Sequence, residues 1–264
     1  MIYPVPTPSN NPRNRPRNNA GGIQMNRWQS YGRRIRGSMA GNLQSASDAI
    51  RPPRSSTELR RRVGGLWNEM GSLQLNFLIE HGLTPESYFL DVGCGVLRAG
   101  RHFVRHLEDG HYCGVDIDEA MIAGGIAQLK EDNLESKGAR LRATTTFEVD
   151  FGEKFDAGIA QSVFTHLPIN SIWHCLSNVS EVLAPSGVFY ATFFRGPEGP
   201  ERFTPIQQPC LEGRVSVRTF ADENPYHYSP QDFARMCENL PLEIEDIGDW
   251  GHPRGQQMMA FKRT

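Results

Sequence analysis

The stretch that decides the fold is FLDVGCGVLRAG, residues 89–100. Residues 88–92 form a short apolar run that closes on Gly93 and Gly95, which predicts a buried strand turning sharply into a helix. Glycines at such a turn let the backbone approach a ligand because no Cβ stands in the way. We expect the next helix, from about Val96 to Leu107, to direct its N-terminal amides at this turn, and such amides attract an anionic group.

A second strand is predicted at residues 111–115, and it ends on Asp116. An acid at this place can accept hydrogen bonds from two ribose hydroxyls. The glycines at positions 93, 95 and 100 do not have the GxGxxG spacing of a dinucleotide site. An ordinary Rossmann-like turn that holds another nucleotide, or none, remains the alternative.

The letters DVGCG at residues 91–95 resemble the nucleotide-binding motif of class I S-adenosylmethionine-dependent methyltransferases. The resemblance covers roughly residues 60–264 and includes FDAGIAQSVFTHLP at 155–168 and LAPSGVFYATFF at 183–194. It implies an α/β fold: a seven-stranded Rossmann-like methyltransferase sheet with six parallel strands, an antiparallel last strand and helices on both faces. The implied cofactor is S-adenosylmethionine.

The resemblance also implies which residues bind this cofactor. The residues carried over by position are Asp91, Gly93, Cys94, Gly95, Asp116, Ile117, Asp150 and Gln161. The first acid and the glycine turn are expected at the methionine part, and Asp116 at the ribose. Ile117 is expected against the adenine and Gln161 near the cofactor. For the adenine amino group either Glu148 or Asp150 fits, with Asp150 preferred.

Methyl transfer to a hydroxyl needs a base, and histidine suits that task. The candidates are His166 after the fourth strand, His227 before a helix start, and His252 in the last loop, and the sequence does not rank them. Arg98 is a candidate for the cofactor carboxylate or an anionic acceptor, and Arg254 for acceptor recognition. Trp67 and Gln74 are candidate ligand contacts or, equally, a core and a surface residue.

The chain is expected to consist of two parts. Residues 1–55 are rich in Pro, Asn and Arg and lack apolar periodicity, which predicts a disordered basic tail. A solvated extension, a later start at Met25 or Met39, and a transit peptide are alternatives for this tail. Residues 56–264 are the predicted methyltransferase domain. Within it, a proline-rich segment at about 195–228 is the predicted acceptor-side insertion.

Composition excludes several functional classes. The net charge is −2, and the catalytic part lacks a basic stripe, so a nucleic-acid partner is disfavoured. No apolar run is long enough for a membrane span, and no secretory signal is recognisable. The five cysteines form no CxxC or metal-ligand spacing, so no metal is predicted and a reducing, cytoplasmic location is expected.

The expected function is methyl transfer to a small-molecule acceptor, most naturally a hydroxyl of a sugar or natural product. The (N/D)PP(Y/F) motif of amino-group methyltransferases is missing after the fourth strand, where QSVF stands at residues 161–164. Protein or amine N-methylation is the alternative. From another class, a cofactor-binding scaffold without turnover would bind the same cofactor but form no demethylated product.

Overall fold

The computed structural model describes residues 56–211 and 216–264. The predicted disordered tail, residues 1–55, lies outside the described residues. Two helices come first, α1 (Ser56–Arg62) and α2 (Trp67–Glu80). The second helix ends shortly before Gly82, which takes a left-handed φ of 96°.

The centre of the fold is a mainly parallel sheet. Its strands are β1 (Phe89–Val92), β2 (Tyr112–Asp116), β3 (Arg140–Ala143), β4 (Phe155–Ala160), β5 (Leu183–Arg195), β9 (Leu242–Asp249) and β10 (Gln257–Arg263). They are ordered β3-β2-β1-β4-β5-β10-β9, and β10 is antiparallel to both of its neighbours. The predicted seven-stranded sheet with an antiparallel last strand is therefore confirmed.

Helices cover both faces of this sheet. The further helices are α3 (Gly100–His106), α4 (Glu119–Glu131), α5 (Ile169–Val182) and α6 (Pro230–Cys237). Residues of α2, α3 and α4, such as Met70, Phe103 and Leu129, pack on one face. Residues of α5 and α6, such as Leu176 and Phe233, pack on the other. Because both faces are covered, the central strands can be apolar throughout, and β1 is buried at each of its four positions.

The predicted start of one helix was wrong. The helix after β1 begins at Gly100 instead of Val96, because Leu97 takes a left-handed φ of 61° and residues 94–97 form a turn. Strand β3 ends at Ala143, before the hydroxyl of Thr144 accepts hydrogen bonds from the backbone N–H groups of Thr146 and Glu148. Strand β5 is irregular around Pro185, where its register against β4 shifts.

The segment predicted as an insertion carries short elements of its own. They are a 3-10 turn (Pro200–Phe203), β6 (Ile206–Gln207), β7 (Arg218–Thr219) and β8 (His227–Tyr228). Strands β6 and β7 pair with each other, and β8 extends the main sheet by pairing with the end of β5. This segment therefore returns to the carboxyl end of the sheet before α6 begins. Helix α6 starts with the predicted capping box of Ser229 and Asp232.

Phe233 links α6 to the sheet, and its removal should destabilise the fold. Its fully buried ring lies 4.9 Å from that of Phe193 and 5.9 Å from those of Tyr228 and Phe261, measured between centroids. We expect Phe233→Ala to lower the free energy of unfolding by about 3–5 kcal/mol in urea titrations, because it leaves a cavity. The matched control Phe203→Ala, at a ring 76% exposed, should change it by less than about 0.5 kcal/mol. Equal losses in both variants would contradict this packing.

Candidate functional site

The glycine turn after β1 has the geometry that its sequence predicts. Gly93 and Gly95 have left-handed φ values of 76° and 57°. A Cβ on Gly93 would overlap the side chain of Val163, and one on Gly95 would lie 3.0 Å from Val63 Cγ1. The turn is held against β2, because the backbone N–H groups of Gly93 and Cys94 both donate to Val115 O. Only glycine combines this backbone with this close packing.

Asp116 closes the other side of the turn. It is 7% exposed; its Oδ2 accepts the N–H of Gly95 at 2.9 Å, and its Oδ1 accepts the N–H of Asp118 at the same distance. Burial raises the pKa of this carboxyl to about 6, although the two backbone donors act in the opposite direction. Each carboxylate oxygen can accept a second hydrogen bond, so Asp116 retains capacity for two ligand hydroxyls.

Asp91 lies beside Asp116 on the neighbouring strand and is equally buried, at 5% exposure. Its Oδ2 accepts the phenolic O–H of Tyr112 at 2.7 Å. Burial, opposed by that hydrogen bond and reinforced by the charge of Asp116, raises the pKa of Asp91 to about 7. Among the described residues it forms no ion pair. A buried carboxylate that forms no ion pair within the protein can bind a ligand cation, such as the ammonium group of an amino acid.

The other residues predicted to bind the cofactor lie at different depths. Cys94 is buried within the turn, and burial raises the pKa of its thiol well above the usual value, so it is an unreactive thiol. Ile117 is half-buried directly after β2. Asp150 is exposed, and its Oδ1 accepts the N–H of Gly152. The structure does not bring Asp150 together with Asp116.

Two hydrogen bonds through Thr144 connect Glu148, the alternative to Asp150, with Asp116. The N–H of Glu148 donates to Thr144 Oγ1, and the N–H of Thr144 donates to Asp116 O. The Glu148 carboxylate itself accepts from Thr146 Oγ1 at 3.0 Å. Both acids remain predictions for the adenine amino group.

Gln161 belongs to a polar cluster at the carboxyl end of β4. Its Nε2 donates to Ser162 Oγ at 2.8 Å and lies 3.1 Å from His252 Nε2. Gln256 Oε1 accepts from Ser162 Oγ at 2.9 Å and from Thr192 Oγ1 at 2.7 Å. Within the described residues, the buried Gln161 Oε1 has no hydrogen-bond partner. A buried carboxamide oxygen without a partner can accept a hydrogen bond from a ligand.

His252 joins this cluster but is a poor general base. The backbone N–H of Arg254 donates to its Nδ1 at 3.1 Å, so the ring's lone pair is already used. Burial, followed by the charges of Arg98 and Arg254, lowers the pKa of His252 to about 3. The ring therefore stays neutral at pH 7. The prediction of His252 as a base is not supported by this geometry.

His166 has the arrangement that a base requires. It ends the 3-10 turn Phe164–His166, which follows β4, and its Nδ1 lies 2.7 Å from Asn224 Oδ1. Because that oxygen only accepts, the imidazole proton resides on Nδ1 and the lone pair on Nε2. Burial lowers the pKa of His166 below 6.5, with the Asn224 hydrogen bond opposing the shift, so the ring is neutral at pH 7.

His227 is occupied by structural contacts. Its Nδ1 lies 3.0 Å from Thr219 Oγ1, its Nε2 lies 2.8 Å from Arg202 O, and the ring is almost fully buried. The backbone carbonyl can only accept, so Nε2 carries the proton and Nδ1 accepts from the threonine hydroxyl. Both nitrogens hold the insertion against β8. The geometry therefore argues against the predicted catalytic role of His227.

Trp67 and Gln74 do not face the cluster. Trp67 lies between two arginines, with the Arg60 guanidinium carbon 4.7 Å and the Arg101 guanidinium carbon 5.4 Å from its ring centroid. Gln74 is buried and donates to Met70 O within its own helix, so its prediction as a surface residue was wrong. Both residues have structural partners.

Sequence reasoning missed three contributors to the site. Tyr112 fixes Asp91, Asn224 fixes His166, and the segment Val63–Leu66 covers the glycine turn. Tyr112 appeared only as one apolar residue of a strand. Asn224 lies 58 residues from His166 in the chain, and no motif connects the two. In the part of the chain that is described, no group of three or more His, Cys, Asp or Glu side chains could hold a metal ion.

The two buried carboxyls should make stability depend on pH. Both pKa values are raised on folding, to about 7 for Asp91 and about 6 for Asp116, so the native state binds more protons than the unfolded chain between pH 4 and 7. Their contribution to stability is complete below pH 4 and is lost as the pH rises through 6 and 7.

We therefore compare the free energy of unfolding of Asp91→Asn with that of the wild type. The difference in favour of the variant should grow by on the order of 3 kcal/mol as the pH rises from 4 to 7.5. Urea unfolding of the ligand-free protein across this range measures the difference. The control Glu119→Gln, at an exposed position, should follow the wild type. Parallel curves for wild type and Asp91→Asn would show that Asp91 ionises freely in the native state.

Comparison with known proteins agrees with this geometry. A family model described as a methyltransferase domain matches residues 90–189, which include the glycine turn, Asp116 and β4. No described helix has the length and apolar character needed to cross a membrane.

Solved methyltransferase structures have a similar fold. Magnesium protoporphyrin IX methyltransferase (ChlM) from Synechocystis PCC 6803, with bound SAH, aligns with a TM-score of 0.58 and 14% identity, covering 89% of this chain and 100% of that one. CalS10, an amino pentose methyltransferase from Micromonospora echinaspora, aligns with a TM-score of 0.55 and 18% identity, covering 80% of this chain and 98% of that one. DesVI from Streptomyces venezuelae aligns with a TM-score of 0.57 and 16% identity, covering 80% of this chain and 100% of that one. The family match shows a methyltransferase domain at residues 90–189, and the structural similarities show that the chain has the fold of methyltransferases solved with bound S-adenosylmethionine or S-adenosylhomocysteine.

Proposed function

We propose that this chain transfers the methyl group of S-adenosylmethionine to a hydroxyl of a small-molecule acceptor. The observation that carries the proposal is the His166–Asn224 pair, which presents a neutral imidazole with its Nε2 lone pair uncommitted among the described residues. Such a group removes a hydroxyl proton at neutral pH. An amine acceptor, by contrast, needs no general base for methyl transfer if it binds in its unprotonated form.

The cofactor residues fit this donor. The glycine turn takes a backbone conformation and packing that exclude a Cβ, Asp116 can accept from two ribose hydroxyls, and Asp91 is a buried carboxylate suited to the methionine ammonium. When bound, S-adenosylmethionine supplies a methyl group on a sulfonium, an excellent leaving group. The protein then mainly holds the acceptor oxygen in line and excludes water.

The roles of the chain's residues in this reaction follow from their positions. His166 Nε2 would accept the proton of the acceptor hydroxyl, and the cofactor, when bound, would supply the methyl group to that oxygen. Asn224 keeps the imidazole proton on Nδ1. Gln161 Oε1 is an acceptor available to the cofactor or to a second acceptor hydroxyl.

We further propose that residues 56–264 form the methyltransferase domain and that about 195–228 is the acceptor-side insertion. Asn224 belongs to that segment, and the N–H of Tyr226 donates to Thr165 O beside His166. Thus the insertion contacts the proposed base directly. A small-molecule acceptor agrees with the structural neighbours, which include a magnesium protoporphyrin IX methyltransferase and an amino pentose methyltransferase. We expect a cytoplasmic enzyme.

Protein or amine N-methylation remains the alternative, and the amino pentose enzyme among the neighbours gives it support. A cofactor-binding scaffold without turnover is the alternative from another class. Labelled S-adenosylmethionine incubated with size-separated cell-extract fractions separates the three. We expect a labelled small molecule and S-adenosylhomocysteine; label in protein favours the first alternative, and cofactor binding with no product favours the scaffold.

Asp116 should contribute strongly to cofactor binding. We expect Asp116→Asn to weaken S-adenosylhomocysteine binding by about 1–3 kcal/mol, because charge-assisted hydrogen bonds to the ribose are lost. Titration calorimetry measures the change, with Glu119→Gln as the exposed acidic control. Unchanged affinity in the folded variant would remove Asp116 from the site.

His166→Asn should lower kcat by about 100-fold or more, because general base catalysis is lost. For wild type we expect kcat to fall as the pH drops below the pKa of His166, which lies under 6.5. Asn224→Asp should move this limb to higher pH, since a carboxylate stabilises the imidazolium. His174→Asn, on α5, is the control and should keep the wild-type profile. A His166→Asn enzyme with the wild-type rate would exclude this base.

A further inference from the structure

A buried chain of hydrogen bonds joins residues on or next to all four short elements of the insertion. The side-chain amide of Gln208 donates to Thr219 Oγ1 at 2.8 Å, and the Thr219 hydroxyl donates to His227 Nδ1 at 3.0 Å. His227 Nε2 donates to Arg202 O at 2.8 Å. Thr219 is fully buried, and Gln208 and His227 are 3% and 2% exposed. Because every donor in this chain points the same way, the chain has one arrangement that satisfies all of its members.

This chain encloses residues 220–226, which we call the Asn224 loop. Its two flanking residues, Thr219 and His227, are joined by their side chains. The backbone closes the loop as well, because the N–H of Phe220 donates to Pro225 O and the N–H of His227 donates to Phe220 O, both at 2.9 Å. The position of the loop therefore depends on the buried bond between Thr219 and His227.

The other side of the insertion holds the turn that carries the proposed base. The carbonyls on either side of His166, at residues 165 and 167, accept hydrogen bonds from the Tyr226 N–H and the Tyr228 O–H. Between these two contacts, Asn224 Oδ1 lies 2.7 Å from His166 Nδ1. The imidazole is thus held from its side chain and from its own backbone by one segment of the insertion.

The place of Asn224 determines which nitrogen of His166 carries the proton. Burial and the hydrogen bond to Asn224 are the two influences on the pKa of this ring, and the acids of the loop, Asp222 and Glu223, are exposed. A neutral imidazole without such a partner exchanges between its two tautomers, and only one of them keeps the lone pair on Nε2. A small displacement of the loop would therefore be enough to redistribute the proton.

We propose that Thr219 and His227 are positioning residues for His166, because their hydrogen bond fixes the loop that brings Asn224 to the imidazole. The inference rests on the proposed function, in which His166 is the base. Neither positioning residue contacts the reacting atoms. Loss of the hydroxyl at position 219 would leave His227 Nδ1 and one N–H of Gln208 buried without a partner, so the insertion would have to rearrange to satisfy them.

The test observes the imidazole of His166 directly, by 15N NMR of the ligand-free protein at neutral pH. The His166 signals are assigned by their loss in His166→Asn. In the wild type we expect a protonated Nδ1 and an unprotonated Nε2. In Thr219→Val and in Asn224→Ala, the fraction with the proton on Nδ1 should fall from nearly all to about half or less. Thr219→Ser keeps the hydroxyl and should restore the wild-type tautomer.

Further variants separate positioning from a general loss of structure. His227→Gln breaks the same hydrogen bond from its other end and should redistribute the proton in the same way. Ser180→Ala removes an equally buried hydroxyl, on α5, and should leave His166 unchanged. Thr219→Val added to Asn224→Ala should have no further effect on the tautomer, because the contact through which the loop acts is already lost. The affinity of Thr219→Val for S-adenosylhomocysteine, measured by calorimetry, should stay within about threefold of wild type.

A wild-type tautomer in folded Thr219→Val, or in Asn224→Ala, overturns the proposal. It is also overturned if Thr219→Val and His227→Gln both fail to fold, or if Thr219→Val weakens S-adenosylhomocysteine binding beyond that limit, since the pair then serves the fold as a whole. These measurements need no turnover. A failure to find a methylated hydroxyl would count against the proposed function and leave the tautomer comparison intact.

Discussion

The hydrogen bond from the N–H of Gly95 to Asp116 is the interaction on which the site depends. It joins the end of β2 to the turn after β1, and it forms because Gly93 and Gly95 take left-handed conformations that bring the backbone to the carboxylate. Parallel pairing of β1 with β2 and β4 then aligns the carboxyl ends of three strands. Asp91, Asp116 and the polar cluster after β4 consequently open on one edge of the sheet.

Burial at this edge has an electrostatic consequence. Two carboxylates and two arginines lie close together, yet in the described structure none of the four has an ion-pair partner, and burial shifts the pKa values of Asp91, Asp116 and Arg98 in the directions that disfavour charge. A ligand with hydroxyls, an ammonium and a carboxylate would stabilise all of these groups in their charged forms. Without its ligand, the folded protein is therefore less stable than it would be with neutral groups at this site. This loss of stability is usual for preorganised polar groups.

The sequence predicted the parts whose signal is local. The letters DVGCG, the acid after the second strand and the alternation of strands and helices predicted a mainly parallel sheet with an antiparallel last strand and the positions of the glycine turn and Asp116. The start of α3 could not be predicted, because nothing local shows that Leu97 takes a left-handed φ. The partnership of His166 with Asn224 and the contact of Arg254 with Gly64 could not be predicted either, since each depends on distant segments that meet only in the folded chain.

This division explains why the cofactor is easier to infer than the acceptor. The proposed cofactor residues lie on strands and their immediate turns, where backbone hydrogen bonding fixes each position. The groups proposed nearest to an acceptor come from three separate segments: residues 63–66, the last loop with His252 and Arg254, and the insertion with Asn224. These segments contact one another, since Arg254 donates to Gly64 O and the N–H of Leu211 donates to Pro253 O. If the proposed function holds, acceptor specificity depends on contacts between these loops, and a substitution in any one of the three segments should alter the pocket formed by the others.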